Sequence, residues 1–99
     1  SKIIATLGPR TSPTLETLLP VLQNRMMPVL SYSATASSFS SAPNVVRVVS
    51  SDYYQAEAIV ALAKAAGWRR IAIVGSSDAY GQAGVADVSL FARKENIDV

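Results

Sequence analysis

Met27-Pro28-Val29-Leu30-Ser31-Tyr32-Ser33-Ala34-Thr35 is a short apolar run, opened by a proline, that ends abruptly in small hydroxyl residues. A buried strand whose carboxyl end opens into a cleft has this composition. Open α/β sheets bind ligands just beyond the carboxyl ends of their strands. Hydroxyls and free backbone N–H groups at such an edge can grip a carboxylate or another small polar group. The neighbouring segments repeat the pattern, an apolar run followed by a polar loop.

Upstream, Lys2-Ile3-Ile4-Ala5-Thr6-Leu7 is rich in β formers and stops at the turn signal Gly8-Pro9. Ser12-Pro13 predicts an N-cap followed by a first-turn proline, with Glu16 placed to favour the positive end of the helix dipole. Leu15, Leu18, Leu19 and Leu22 form an apolar stripe at helical spacing, which predicts a helix over about residues 13–25. Pro20 should kink that helix or shorten its hydrogen-bond ladder.

Downstream, residues 31–44 hold seven serines and threonines plus Pro43, and predict a loop with one helical turn near Ser37 to Ser40. Asn44 to Val49 is nearly continuously apolar and suits a strand or a buried crossover. Ser50-Ser51-Asp52 starts a second helix, with Ala56, Ile59, Val60, Leu62 and Ala63 along it and Gly67 at its C-terminal cap. Ile71-Ala72-Ile73-Val74 reads as a buried parallel strand ending at Gly75, and Ser76 to Gly81 as another loop. A third helix is predicted over about residues 81–94, with Val85, Val88, Leu90 and Phe91 inward, before a last strand at Ile97 to Val99. Strands and helices alternating at this spacing predict the α/β class, parallel sheets flanked by helices.

Composition narrows the function. Of the 99 residues 49% are hydrophobic and only 16% charged, less charge than a free-standing domain of this size usually needs to cover its surface. The chain is therefore expected to be a piece of a larger domain. The formal net charge is +2, and no basic stretch has interleaved aromatics, so nucleic-acid binding has no support. Cysteine and histidine are both absent, which removes disulfides, thiol nucleophiles, common zinc sites and imidazole acid/base catalysis. No G-x-G-x-x-G or phosphate loop is present, and Asp52, Asp78 and Asp87 have no metal-ligand spacing, so neither a cofactor nor a metal is predicted.

The candidate chemistry lies in the loops at strand ends. Ser12, Ser33 and Thr35 offer hydroxyls and a helix N-terminus, a cradle for a carboxylate. Asp52 offers a negative charge for an ammonium, and Tyr80 a flat face for a cation–π contact together with a hydroxyl. A zwitterion such as an amino acid fits this inventory. Each residue also has a plain structural reading: Ser12 and Asp52 as helix-start residues, Ser33 and Thr35 as hydroxyls satisfying loop backbone, Tyr80 as a half-buried packing residue. An alternative is a small α/β enzyme domain, hydrolase-like or nucleotide-using.

Several motifs occur in order: Leu7-Gly8-Pro9 followed by hydroxyls, Pro28-Val29-Leu30-Ser31-Tyr32-Ser33-Ala34-Thr35, Arg47-Val48-Val49-Ser50-Ser51-Asp52, Gln55-Ala56, Gly67-Trp68, and Tyr80-Gly81 with Gly84. This set resembles the receptor-type ligand-binding region of the type I periplasmic-binding-protein superfamily. Class C G-protein-coupled receptors, natriuretic-peptide receptors and bacterial branched-chain amino-acid-binding proteins belong to it. The resemblance implies a fragment of a bilobed clamshell that closes on a ligand to transmit a signal, without enzymatic activity. Residues 1–46 would be part of lobe one, 47–51 the hinge crossover and 52–99 the first part of lobe two. It also implies that Ser12, Ser33, Ala34 and Thr35 hold the ligand from lobe one, and Asp52 and Tyr80 from lobe two. The implied ligand is a small molecule, an amino acid. The implied location is the extracellular face of the plasma membrane or the periplasm, and the resemblance is compatible with a membrane-anchored parent and a homodimer. The chain departs from the family pattern at Ser50 or Ser51, where proline is frequent, and at Asp98, near which class C receptors commonly carry a cysteine.

Overall fold

A parallel sheet of three strands, in the order β1-β2-β3, forms the first layer of the computed structural model. The structure describes residues 2–99, and Ser1, the first residue of the expected first unit, lies outside the described residues. The strands are β1 (Thr6–Leu7), β2 (Val29–Ser31) and β3 (Val45–Arg47). Helix α1 (Ser12–Asn24) crosses from β1 to β2, and a 3-10 turn at Ser37–Ser41 precedes β3. The rest is α2 (Asp52–Ala65) and α3 (Ala79–Lys94), joined by an extended segment. The class is α/β with parallel pairing, as the alternation predicts.

Register decides which face is buried. Thr6, Val29 and Val45 are partners across the sheet, and so are Leu7, Leu30 and Val46. Val29 and Ser31 are buried on the face that meets α1. There Leu15, Val29, Ala34, Ala36 and Phe39 form one core cluster, with Leu19, Leu22 and Val45 packed against it. Leu15 is fully buried, worth about 1.5–3 kcal/mol relative to exposure. The opposite face carries Leu7, Leu30 and Val46 side by side, 74%, 40% and 63% exposed.

A second cluster joins α2 to α3: Ala56, Val60, Ala63, Val88, Ala92 and Ile97, with Ile71, Ile73 and Phe91 partly buried against it. Tyr53 and Phe91 add a tilted ring contact at 4.8 Å. The small residues Ala56, Ala63 and Ala92 let the helices approach closely. Ala83 of α3 packs against the first cluster and links the two. The molecule is long, 58 × 23 × 18 Å, with a radius of gyration of 15.8 Å against roughly 13 Å for a compact domain of this length.

Several expectations change. The sequence pattern starts the first strand at Lys2, but among the described residues only Thr6 and Leu7 join the ladder; β2 begins pairing at Val29, so Ile3 and Ile4 lie outside it and are exposed. The expected strand at Ile71 to Gly75 is extended chain without a ladder. Its one pairing is an isolated parallel bridge, Arg70 with Asp98, where the Ile71 N–H donates to the Asp98 carbonyl at 2.9 Å. That bridge is also all that forms of the last expected strand. Leu18, Ile59, Leu62 and Leu90 face outward, and α1 runs through Pro20 without interruption.

All three helices end the same way. Beyond the caps Arg25, Ala66 and Glu95, the residues Met26, Gly67 and Asn96 take positive φ values of 48°, 74° and 56°. The N–H groups of Met27, Trp68 and Ile97 then donate back to the carbonyls of Leu22, Ala63 and Ala92. This is the Schellman arrangement, which satisfies carbonyls that the helix leaves open.

Candidate functional site

The loop after β2 is fastened on three sides. From α1, the Ser12 Oγ accepts the Ala36 N–H at 3.2 Å, and Ser12 is buried. This corrects the expectation that Ser12 caps α1. The cap is Thr11, whose Oγ1 accepts the Thr14 N–H, while Ser12 is the first helical residue and spends its oxygen on a tertiary bond. Glu16 accordingly falls beyond the first turn, which contains no acid. From β3, the Arg47 guanidinium donates to the carbonyls of Thr35 at 3.3 Å and Ala36 at 3.0 Å, and to Ser40 Oγ. From α2, Thr35 and Asp52 bond reciprocally: Thr35 Oγ1 donates to Asp52 Oδ2 at 2.8 Å, and the Asp52 N–H donates to the Thr35 carbonyl at 2.9 Å.

On the other side stands the start of α3. Asp78 caps it, with Oδ1 accepting the Gly81 N–H at 2.9 Å and the Ser76 hydroxyl at 2.7 Å. Gln82 secures the same loop through Nε2 to the Ser77 carbonyl at 2.7 Å. Tyr80, expected in a loop, belongs to the first helical turn, because the Asp78 cap starts the helix at Ala79 rather than at Gly81. Two glycines permit this fold-back. A Cβ at Gly81 would collide with the backbone and hydroxyl of Ser76, and one at Gly75 would sit 2.7 Å from Val85.

A cleft of about 550 Å³ opens between these parts, lined by Arg10, Thr11, Ser12, Ser33, Thr35, Asp78 and Tyr80. Its size falls within the roughly 300–1,000 Å³ typical of small-molecule sites. A second cleft of about 310 Å³ adjoins it, lined by Asp52, Gln55, Gly75, Ser76, Tyr80 and apolar residues of α2 and α3. Tyr80 borders both. Of the residues singled out in the sequence, Ser12, Ser33, Thr35 and Tyr80 thus meet at one cleft. Asp52 borders the neighbouring one and is tied to the first through Thr35. The Ala34 side chain is buried in the core cluster, so only its backbone is available to a ligand. Among the described residues, no three of His, Cys, Asp or Glu gather as metal ligands.

A family profile described as "Receptor family ligand binding region" matches residues 1–99. The chain belongs to this receptor ligand-binding region family. Relatives include Taste receptor type 1 member 1 of Homo sapiens, 36% identical over 86 residues that make up 84% of this chain and 10% of the relative. Metabotropic glutamate receptor 6 of Oryctolagus cuniculus is 32% identical over 85% of this chain and 10% of its own length. Glutamate receptor 3.4 of Arabidopsis thaliana is 30% identical over 87% of this chain and 9% of its own. The receptor ligand-binding region seen here therefore spans about a tenth of the length of these curated relatives. All are receptors by name, which favours ligand binding over the small-enzyme alternative.

Four residues of this receptor ligand-binding region, three that line the cleft and Arg47 that fastens its loop, escape a reading of the sequence. Arg10 and Thr11 follow a turn signal and look like linker. Arg47 interrupts an apolar strand and looks like a solvent-facing position. Asp78 looks like one polar residue among serines. Its carboxyl is held below its ordinary value of 3.8, first by the Gly81 N–H and next by the Ser76 hydroxyl, and it is therefore ionised at neutral pH.

Proposed function

We propose that this region binds a small zwitterion, an amino acid, in the cleft where Ser12, Ser33 and Thr35 meet Tyr80. That meeting is the observation that carries the reading. Ser33 and the Ser12 N–H present donors for a carboxylate. The aromatic face of Tyr80 and the uncommitted Oδ1 of Asp52 suit an ammonium. The names of two relatives, both glutamate receptors, support an amino acid as the ligand class.

The mechanism is closure. The two core clusters support a division into a first unit over residues 1–46, a crossover over 47–51 and a second unit over 52–99. Ser12, Ser33 and Thr35 then belong to one unit, and Asp52 and Tyr80 to the other. A ligand touching both units has its full set of contacts only when they are close, so binding shifts the population toward the closed form. In the parent protein, on the outer face of a membrane, that shift is the signal.

Calorimetry on the full-length protein with a panel of L-amino acids tests this. Thr35→Ala and Asp52→Ala are each expected to weaken binding roughly tenfold or more, the loss of about 1.5–3 kcal/mol attached to a charged hydrogen bond. Unchanged affinity in both variants would sink the amino-acid reading.

A further inference from the structure

The cleft holds two charged residues outside that ligand set. Arg10 stands just before the cap of α1, and Asp78 is the cap of α3. Both line the 550 Å³ cleft, one from each of the two segments that form it. They do not pair with each other: the ion pairs among the described residues are Lys64 with Glu95 and Arg70 with Asp98. Opposite charges on the walls of one cleft, neither of them in an ion pair among the described residues, complement a ligand that carries both signs.

The hydrogen-bond inventory shows why each wall needs its charge. The N-terminus of α1 is a poor anion site alone. Pro13 has no N–H, the Thr14 N–H goes to Thr11 Oγ1, and the Leu15 N–H goes to the Thr11 carbonyl. Among the described residues, Ser12 is the one of the first four helical positions whose N–H has no hydrogen-bond partner, and one neutral donor holds a carboxylate weakly. A guanidinium beside it can supply two parallel charged hydrogen bonds. On the opposite wall, Asp78 commits Oδ1 to the cap and to Ser76, while Oδ2 makes no hydrogen bond among the described residues. Asp52 likewise commits one oxygen, to Thr35, and borders the neighbouring cleft, so the two carboxylates flank the ammonium from the two clefts that share Tyr80.

We infer that Arg10 and Asp78 are specificity-determining residues that orient the ligand, its carboxylate toward Arg10 and α1 and its ammonium toward Asp78 and Tyr80. The inference rests on the amino-acid reading of the cleft and adds a direction to it. It selects for molecules that carry both a free carboxylate and a free ammonium, over amines, amides or acids alone.

The test compares the tightest-binding L-amino acid of the panel with its carboxamide, which keeps the ammonium and lacks the carboxylate charge. Full-length wild type, Arg10→Gln and Asp78→Asn are titrated with both. Asparagine is as good a cap as aspartate, so Asp78→Asn removes charge while keeping the start of α3. Arg10→Gln is expected to lower affinity for the amino acid roughly 10- to 100-fold and to leave the carboxamide unchanged. Asp78→Asn is expected to lower affinity for both compounds by a similar factor. The inference is overturned if Arg10→Gln weakens both compounds equally or neither, or if Asp78→Asn binds both as wild type does. Wild type that binds no amino acid at all would overturn the amino-acid reading, and this inference with it.

Discussion

Asp78 shows how much one side chain decides. Its cap starts α3 two residues earlier than the sequence pattern predicts, and that places Tyr80 on a helix beside the cleft. Its carboxyl sits below the ordinary value of 3.8 because the Gly81 N–H and the Ser76 hydroxyl favour the charged form. A group with a depressed folded value contributes stability above its unfolded value and loses it as pH falls through the folded one. The start of α3 is therefore expected to hold from neutral pH down to about 3.8 and to loosen only below it. The Gly81 amide shift, followed by NMR through an acid titration, reads this directly. A transition centred above the ordinary carboxylate range, or one that persists in Asp78→Asn, would contradict it.

Helix ends separate what was legible in the sequence from what was not. Gly67 announces its own cap, because glycine is the usual residue in the left-handed conformation after a helix. Met26 and Asn96 do the same work with side chains, and Met26 gives no signal at all. Methionine in that conformation costs about 1–2 kcal/mol, more than the roughly 0.5–1 kcal/mol of chain entropy that glycine loses. Met26 is largely exposed, so little packing is at stake. Met26→Gly is expected to raise stability by up to about 1 kcal/mol, read as a higher denaturant midpoint at unchanged slope; a lower midpoint would refute it. The starts of helices divide similarly. Ser51 and Asp52 were readable as a helix start because cap and first-turn acid are local. Ser12 has the local pattern of a cap, but its oxygen is claimed by Ala36, 24 residues away, and no local pattern reports such a partner. Thr35 and Asp52 each carry the chemistry of a site residue in the sequence, yet their bond to each other is invisible there for the same reason.

At the scale of the whole molecule, the apolar face of the sheet stands out. Leu7, Leu30 and Val46 lie in register across the strands and are exposed, and Val48 and Val74 are exposed as well. Exposed apolar strands favour association. An isolated segment of these residues is expected to melt without a sharp transition and to bind a hydrophobic dye; a cooperative melt as a monomer would argue against two incomplete units. The alternation of strands and helices and the ordered motifs made the α/β class and the receptor family legible. The meeting of Ser12, Ser33 and Thr35 with Tyr80 depends on the fold-back at Gly75 and Gly81, which only the structure reveals. Tyr80 borders both clefts and is half exposed, so truncating it removes the shared wall at little cost in stability. The most direct test of an amino-acid site there is calorimetry of full-length wild type and Tyr80→Ala against the L-amino-acid panel. Wild type is expected to bind at least one amino acid, and Tyr80→Ala, folded as wild type is, to bind it roughly tenfold more weakly, the scale of a lost cation–π and hydroxyl contact. Equal affinity in the two proteins, or no binding by wild type, would contradict it.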